Sequence, residues 1–433
     1  MTILLVAPSN DAADILIEKL SPYFPPSEMR RILAFSRSID TVPMNLRPYY
    51  KEAANEDEQE EEISSARLVV STVNLAARFS FLGIKRGYFD VLVVDEAGHA
   101  TEPEVIAVAA TLMDFDERNK RGSQLILAGD PKQLGPIVAS DVCQRFGMSM
   151  SYMERLTLRE AYGRSSADGT YPPHLLTKLV KNYRSHPTII KLPNEMFYDN
   201  DLQICGNVLS THSLVRWEHL PNKGFPIIFH AVHGENLREE SSPSWFNPHE
   251  AAEVANYVDL LVNQTRPRVD AADIGVITPY NRQVHKIRTA LEVIDIKDVK
   301  VGSVETFQGQ ERRVIIISTV RAENELIESD LKYNLGFVAN EKRFNVAVTR
   351  AKSLLIVIGH PKVLATDKER WLPLLKFCKE NGSWCGEDWD ENEHDFSDEL
   401  EELDEFKECF NTEPSSISAR VEEEGISYVN REE

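Results

Sequence analysis

The sequence predicts an α/β protein of two parallel-sheet units followed by an acidic tail. Three observations lead there. Strand-sized runs of Val, Ile and Leu recur along the chain, helix-length amphipathic stretches separate them, and most of the negative charge is gathered at the C-terminal end. With 433 residues, 42% of them hydrophobic, the chain is long enough for two or three domains with sizeable cores.

The strands are expected first at Ile3–Ala7, Arg67–Ser71, Asp90–Asp95 and Gln124–Gly129. A second series follows at Pro226–Ala231, Asp273–Thr278, Val299–Ser303, Val314–Thr319 and Leu354–Gly359. Near-continuous apolar runs suit strands covered on both faces, as parallel sheets are, and helical patterns such as Pro248–Val262 and Arg282–Leu291 supply the cover. Between the two series, residues 136–173 have few strand signals and include the stretch Gly163–Gly169, which reads as helix plus exposed loop. The change of unit falls near Pro193–Leu220. The resulting boundaries are residues 1–205 for the first unit, 206–386 for the second and 387–433 for the tail. No repeat of 20–50 residues is present.

Charge refines this outline. The formal net charge is −21, and residues 387–433 hold 19 acids against three bases, so the tail carries −16 of it. A second acidic run, Glu52 to Glu62, holds seven acids and no base, which leaves the remainder at +2. Both runs are expected to be solvated and disordered, and the near-neutral globular part retains the option of a basic groove. The five cysteines are scattered and never spaced as CxxC, which points to a reducing compartment and away from zinc or a disulfide framework. Apolar runs such as Val91–Val94 and Val314–Ile317 stop far short of the ~20 residues of a membrane span, and residues 1–8 have no signal-peptide pattern.

Chemistry is expected where strands end. The run Val91–Val94 delivers Asp95 and Glu96 to a strand's carboxyl edge, where open parallel sheets bind ligands. One carboxylate suits Mg²⁺ held through water and the other suits polarising the water that attacks a γ-phosphate; a capped strand end is the bland alternative. The next strand ends in Gly129-Asp130-Pro131-Lys132-Gln133, a turn carrying an uncharged amide fit to sense a phosphate or its attacking water. Arg184, Arg343 and Arg350 are candidate guanidinium donors to a phosphoryl group in transfer.

In order, these segments resemble the motif series of superfamily-one helicases, and specifically the up-frameshift-like RNA helicases. Ala7–Asp14 resembles motif Ia, Val70–Thr72 motif Ic, Asp95–Gly98 motif II, Gly129–Pro136 motif III and Asn182–Pro187 motif IIIa. Thr278–Asn281 with Gln283 resembles motif IV, Val304–Glu311 motif V and Arg343–Lys352 motif VI. Within that group, the stretches Asp95–Glu104, Gly224–His230, Val301–Glu305 and Phe377–Gly382 resemble the Armitage / Moloney-leukaemia-virus-ten branch, whose members act in RNA silencing and cytoplasmic ribonucleoprotein granules.

The resemblance implies two RecA-like (P-loop NTPase) helicase lobes, ATP and Mg²⁺ as cofactors, single-stranded RNA and silencing or RNA-decay proteins as partners, no membrane, and a cytoplasmic location. It implies that Asp95 binds Mg²⁺ through water, Glu96 orients the hydrolytic water and Gln133 senses the γ-phosphate. Arg184 and Arg350 would be arginine fingers from the two lobes. Tyr183 would stack on adenine, and Glu311, after the Gly309 turn, would contact the ribose. Pro8, Ser9, Asn10, Ser71, Thr72, Tyr280, Asn281 and Thr306 would grip the sugar-phosphate backbone of RNA without reading bases. Unwinding 5′ to 3′ is what the family implies.

One departure stands out. The phosphate-cradling sequence G-x-x-x-x-G-K-[ST] occurs nowhere in the 433 residues, so there is no loop of N–H groups, no phosphate-binding Lys and no Mg²⁺-binding Ser/Thr of that kind. The first lobe is therefore expected to be incomplete and to lack a central strand. Three functions stay open: an RNA helicase of which this is the C-terminal portion, a nucleotide-independent RNA-binding scaffold, and a helicase-like ATPase acting on DNA. For the tail, competition with RNA, docking of a partner through the apolar stripe from Phe396 to Phe410, and plain solubilisation are alternatives.

Overall fold

The computed structural model describes residues 1–389 except 35–36, 52–54, 117–121, 166–168, 240–243 and 323–339. The tail beyond residue 389, with its apolar stripe, lies outside the described residues. Two compact units are present, and the first runs from Met1 to Lys178.

Its sheet is parallel throughout, in the order β2-β3-β1-β4-β5. The strands are β1 (Ile3–Ala7), β2 (Met29–Arg31), β3 (Leu68–Thr72), β4 (Val91–Val94) and β5 (Gln124–Leu127). The apolar runs of β1 and β3 are buried on both faces, while β4 and β5 are less covered on one face. Leu4, Val6, Val69, Leu92 and Val94 face a cluster with Phe79, Phe89 and Val105, while Leu5, Ala7, Leu68 and Val70 pack with Ala13 and Ile17. Each fully buried Leu, Val or Phe contributes roughly 1.5–3 kcal/mol. The helices are α1 (Asn10–Leu20), α2 (Glu56–Ser65), α3 (Val73–Ala76), α4 (Glu102–Leu112), α5 (Asp141–Arg145) and α6 (Tyr152–Thr157). Thr101 and Glu104 form a reciprocal capping box at the start of α4.

Two expectations change here. The sheet runs without a gap and β1 is its central strand; the open side is the β5 edge, where Ile126 is 47% exposed. The acidic run is not a disordered loop over its described part, because residues 56–65 form α2. Asn55 caps it, Ile63 is fully buried, the Glu62 carboxylate takes Arg30 at 3.1 Å and Lys51 at 2.8 Å, and Gln59 donates to the Leu33 carbonyl at 2.9 Å. A few specific partners outweigh the repulsion among the other acids. Residues 136–173 hold short helices and no strand among their described residues, as expected.

The second unit begins at Leu179. Its six-stranded parallel sheet has the order β12-β11-β13-β14-β8-β15. Two short pairs precede and accompany it: β6 (Lys181–Asn182) with β7 (Gln203–Ile204), and β9 (Leu237–Arg238) with β10 (Trp245–Phe246). The main strands are β8 (Ile227–Ala231), β11 (Ile274–Ile277), β12 (Lys300–Gly302), β13 (Arg312–Ser318), β14 (Ala351–Gly359) and β15 (Trp384–Gly386). Helices α7 (Pro187–Phe197), α8 (Val208–Thr211), α9 (Pro248–Val262), α10 (Asn281–Val293), α11 (Glu341–Thr349), α12 (Pro361–Ala365) and α13 (Trp371–Glu380) complete it. Val254, Val258 and Leu261 of α9 and Val284, Ile287 and Leu291 of α10 close one apolar core over Val276, Val314, Ile316 and Ile356. No described helix is long and apolar enough to cross a membrane.

Residues 179–205 belong to this second unit, although the sequence places them with the first. The His186 N–H donates to the Lys352 carbonyl at 2.8 Å, and Asn345 of α11 donates to the Tyr198 hydroxyl at 2.8 Å, so α7 is fastened to the β14 side of the sheet. Residues 387–389 are likewise not tail: Trp389 is 4% exposed and stacks on Trp384 with ring centroids 6.0 Å apart.

A buried polar network closes the C-terminal end of β13. Glu250 accepts from Ser318 Oγ at 2.6 Å and from the Val320 N–H at 2.9 Å, which fixes Val320 in a left-handed conformation (φ 74°) that a β-branched residue rarely takes. Burial pushes the Glu250 carboxyl up from 4.5 to about 7, against the pull of these donors. An acid whose folded value is raised stabilises the fold fully below its ordinary value and loses that contribution as pH rises through the folded one. Denaturant unfolding of the second unit is therefore expected to show stability falling between about pH 4.5 and 7, and Glu250→Gln is expected to flatten that slope. A slope unchanged in the variant would assign it to another group.

Candidate functional site

In the first unit the site is built where β4 and β5 end. The Asp95 N–H donates to the Val6 carbonyl at 2.8 Å, extending the sheet by one bond and placing the carboxylate at its carboxyl edge. Burial pushes the Asp95 carboxyl up, and the Glu96 backbone N–H and Lys19 draw it partly back. A partly desolvated carboxylate of this kind gains most from a cation. Glu96 follows with φ 49°, a left-handed conformation that costs a residue with a Cβ about 1–2 kcal/mol. Two hydrogen bonds hold it there: His99 N–H to the Glu96 carbonyl at 2.9 Å and Ala97 N–H to the Ala128 carbonyl at 2.8 Å.

The turn after β5 interlocks with it. A Cβ on Gly98 would stand 2.9 Å from the Asp130 carbonyl oxygen, and one on Gly129 would stand 2.9 Å from the Ala97 nitrogen, so only glycines allow the two turns to touch. Asp130 then organises its own turn, accepting from the Lys132 N–H and from Gln133 Nε2, both at 2.9 Å. Asp95, Glu96 and Gln133 are all half-buried and carried on turns that meet.

The remaining candidates of this unit divide by exposure. Ser9 caps α1, accepting from the Ala12 N–H at 3.2 Å, and Thr72 caps α3, accepting from Leu75 at 3.4 Å. Asn10 is half-buried and its amide oxygen accepts from Arg31 Nη2 at 2.9 Å. Pro8 and Ser71 are buried, so their side chains are not offered to a backbone ligand, and the Ser71 hydroxyl has no hydrogen-bond partner among the described residues.

The second unit gathers the others. Tyr183 is 66% exposed. Asn182 Oδ1 accepts from the N–H groups of Arg184 (3.1 Å) and Ser185 (3.0 Å), which turns the chain so that Arg184 reaches Glu311. Lys352 Nζ lies 2.7 Å from the other oxygen of the same carboxylate. Burial works to raise the Glu311 carboxyl, but Lys352 and Arg184 override it and leave it at about 2. Gly309 has φ 69°, which the tight turn ahead of Glu311 requires. Arg350 is 1% exposed, donating to the Val346 carbonyl at 3.2 Å and the Gln310 carbonyl at 3.4 Å. Arg343 pairs with Glu305 at 3.0 Å, tying α11 to the turn that carries Thr306. The structure thus brings Arg184, Glu311 and Lys352 into one charged cluster, with Arg350 one residue away through Gln310. Both candidate arginine fingers lie in this unit, not one in each, because the His186–Lys352 hydrogen bond carries Arg184 with β14.

Thr306 is half-buried, its hydroxyl donating to the Ser303 carbonyl at 2.8 Å, and Asn281 opens α10. Tyr280 is fully buried beneath Arg321, whose guanidinium carbon lies 4.7 Å from the ring centroid. Its ring is a support and not a contact surface. His186 caps α7, its Nδ1 accepting from the Thr188 N–H at 3.1 Å; burial and then His212 hold it near 4, so it is neutral. Lys352 and the network of Asn247, Glu250, Gln283 and Ser318 were not among the candidates. Lys352 ends motif VI in the sequence, and only its pairing with Glu311, 41 positions earlier in the chain, singles it out.

Family models described as AAA domain match residues 35–141 and 148–362. The chain is 45% identical over 390 residues to "RNA helicase Mov10l1" of Homo sapiens, covering 89% of this chain and 31% of that protein. It is 43% identical over 413 residues to "Putative helicase MOV-10" of Gallus gallus and 35% identical over 421 residues to "Probable RNA helicase armi" of Drosophila melanogaster, covering 42% and 34% of those proteins. The chain therefore spans about a third of the length of these relatives. Among solved structures, the arterivirus nonstructural protein 10 helicase in complex with DNA is 12% identical and covers 82% of this chain and 53% of that one, at a TM-score of 0.39.

Proposed function

From the premise that the chain belongs to the up-frameshift-like superfamily-one helicases, in the Armitage / Moloney-leukaemia-virus-ten branch, we propose that it is the motor portion of an ATP-dependent RNA helicase of the RNA-silencing type. The observation that carries this reading is the interlock of the Asp95–Gly98 turn with the Gly129–Gln133 turn, which brings the segments bearing Glu96 and Gln133 to one end of the sheet. In the proposed reaction Glu96 takes the proton of the attacking water and Gln133 orients that water and the γ-phosphate. Asp95 would hold Mg²⁺ through water, and the ion would neutralise charge on the ATP phosphates. Arg184 and Arg350 stabilise charge on the phosphoryl group in transfer; Arg350 exchanges its Gln310 carbonyl for phosphate oxygens. Tyr183 offers an exposed ring for adenine. Glu311 reaches the ribose only by yielding part of its Arg184 and Lys352 pairing, which couples nucleotide binding to release of Arg184.

Single-stranded RNA is the proposed track, gripped by the α1 turn at Ser9 and Asn10, by Thr72, and by Asn281 and Thr306. The cytoplasm and its ribonucleoprotein granules are the proposed location. A second reading, a nucleotide-independent RNA-binding scaffold, is favoured by one observation: no G-x-x-x-x-G-K-[ST] occurs in the 433 residues. Strand displacement by a form carrying that loop tests both. Unwinding of an RNA duplex with a 5′ overhang, but not a 3′ overhang, in the presence of ATP supports the helicase; RNA binding without ATP-dependent displacement supports the scaffold. Greater stimulation of turnover by single-stranded DNA than by RNA would assign the motor to DNA.

A further inference from the structure

A short hairpin of the second unit lies outside all the motifs. In it Trp245 of β10 stands opposite Arg238 of β9, with Phe246 opposite Leu237. Arg238 is exposed and Leu237 is 42% exposed, while Trp245 is half-buried. The guanidinium carbon of Arg238 lies 6.0 Å from the Trp245 ring centroid. That of Arg321 lies 5.1 Å from the same centroid and 4.7 Å from that of Tyr280. Aromatic rings and guanidinium groups thus alternate from buried Tyr280, through Arg321 at 2% exposure, to Trp245 and the solvent-facing Arg238.

The hairpin is fixed to the segment expected to hold RNA. Ser244 Oγ accepts from the Arg282 N–H at 3.2 Å, and Asn247 exchanges hydrogen bonds with the Gln283 side chain at 2.9 and 3.1 Å, so the hairpin rides on the first turn of α10, which Asn281 opens. Of the two acids in this segment, Glu239 pairs with both Arg282 and Lys286, and Glu240 lies outside the described residues. The face therefore offers a flat ring, a flat cation and no uncompensated carboxylate from Glu239. Base π-faces stack on such groups whatever their sequence.

We propose that the Arg238–Trp245 face is a base-stacking site for single-stranded RNA, extending the track beyond Asn281. The inference rests on the RNA-helicase reading. A base stacks on the exposed Arg238 guanidinium, or on the Trp245 ring when Arg238 swings off it to meet a phosphate, and Arg321, lying between Tyr280 and Trp245, positions the indole.

Binding of a fluorescent oligouridylate of about 20 nucleotides to the 433-residue chain, titrated at several salt concentrations, tests it. Trp245→Ala is expected to weaken binding by ~5- to 100-fold, the range that stacking losses of ~1–3 kcal/mol give. Trp245→Phe is expected to keep most of the affinity but lose the part of the tryptophan quenching that RNA causes in the wild type. Arg238→Ala, a surface change that leaves the core intact, is expected to weaken binding several-fold. If both Arg238→Ala and Trp245→Phe bind as the wild type does, with quenching retained in Trp245→Phe, the site is wrong even if Trp245→Ala fails to fold. If the wild-type chain itself fails to bind the oligonucleotide, the RNA-helicase reading falls and this inference with it.

Discussion

Glu96→Gln, placed in a form of the protein that carries a phosphate-cradling loop, is expected to lower RNA-stimulated ATP turnover by about 10²–10⁴-fold, the usual worth of a positioned general base. The substitution keeps the shape of the side chain and the turn, because the left-handed backbone at residue 96 is held by His99 and Ala97 through main-chain bonds that a side-chain amide does not touch. Asp95 remains to support Mg²⁺. RNA binding in the presence of ATP should therefore survive while the chemical step is lost, a fall in kcat without a matching loss of affinity. Turnover within a few-fold of the wild type would remove Glu96 from the reaction and with it the proposed role of the β4 edge.

Asp14→Ala is expected to cost the first unit about 3–5 kcal/mol, the usual effect of breaking a buried ion pair by deleting one partner. Arg31 has no exposed side-chain surface, and its Nε lies 3.1 Å from Asp14 Oδ1. Arg37 binds the other oxygen at 2.7 Å and the Tyr50 hydroxyl donates to the first at 3.0 Å. One carboxylate thus neutralises a buried guanidinium and steadies a second. Burial alone already works to lower the Arg31 pKa, with Asp14 as the leading opposing influence, so the charge has little to fall back on when Asp14 goes. Because Arg31 also holds the Asn10 amide oxygen, RNA binding should weaken along with stability. Asp14→Asn retains one acceptor and should cost less. Denaturant unfolding followed through the first unit measures both; a loss below about 1 kcal/mol for Asp14→Ala, closer to a surface substitution, would contradict this account.

The nine strands expected from the apolar runs form within three residues at each end, because dense Val, Ile and Leu leave no competing pattern. β2 is not legible in this way, since Met29-Arg30-Arg31 looks like surface until Asp14 and Asn10 are seen to enclose Arg31. β15 was missed for a related reason: Trp384-Cys385-Gly386 is too short to show a period, and it pairs with β8 across more than 150 residues of sequence. The acidic run misled because charge density hides the few positions, Gln59, Glu62 and Ile63, that face inward. The placement of Asp95 and Glu96 is legible because it is local: they follow the last residue of β4 directly, while Gln133 stands on the Gly- and Pro-bounded turn that follows β5. Distant partners are not legible in the sequence. Tyr280 is covered by an arginine 41 positions away, and Arg184 is carried with the second unit by a bond between His186 and Lys352.

We propose that Glu96, Gln133, Arg184 and Arg350 act on a phosphate that this sequence, having no G-x-x-x-x-G-K-[ST], does not itself cradle. RNA-stimulated ATP turnover tests it most directly, measured side by side on the 433-residue chain and on a form extended to include a G-x-x-x-x-G-K-[ST] loop. Turnover by the first is expected to be negligible and, by the second, about 1–100 s⁻¹ by analogy with other phosphoryl-transfer enzymes. Turnover in that range by the 433-residue chain alone, or its absence in the extended form, would contradict the proposal.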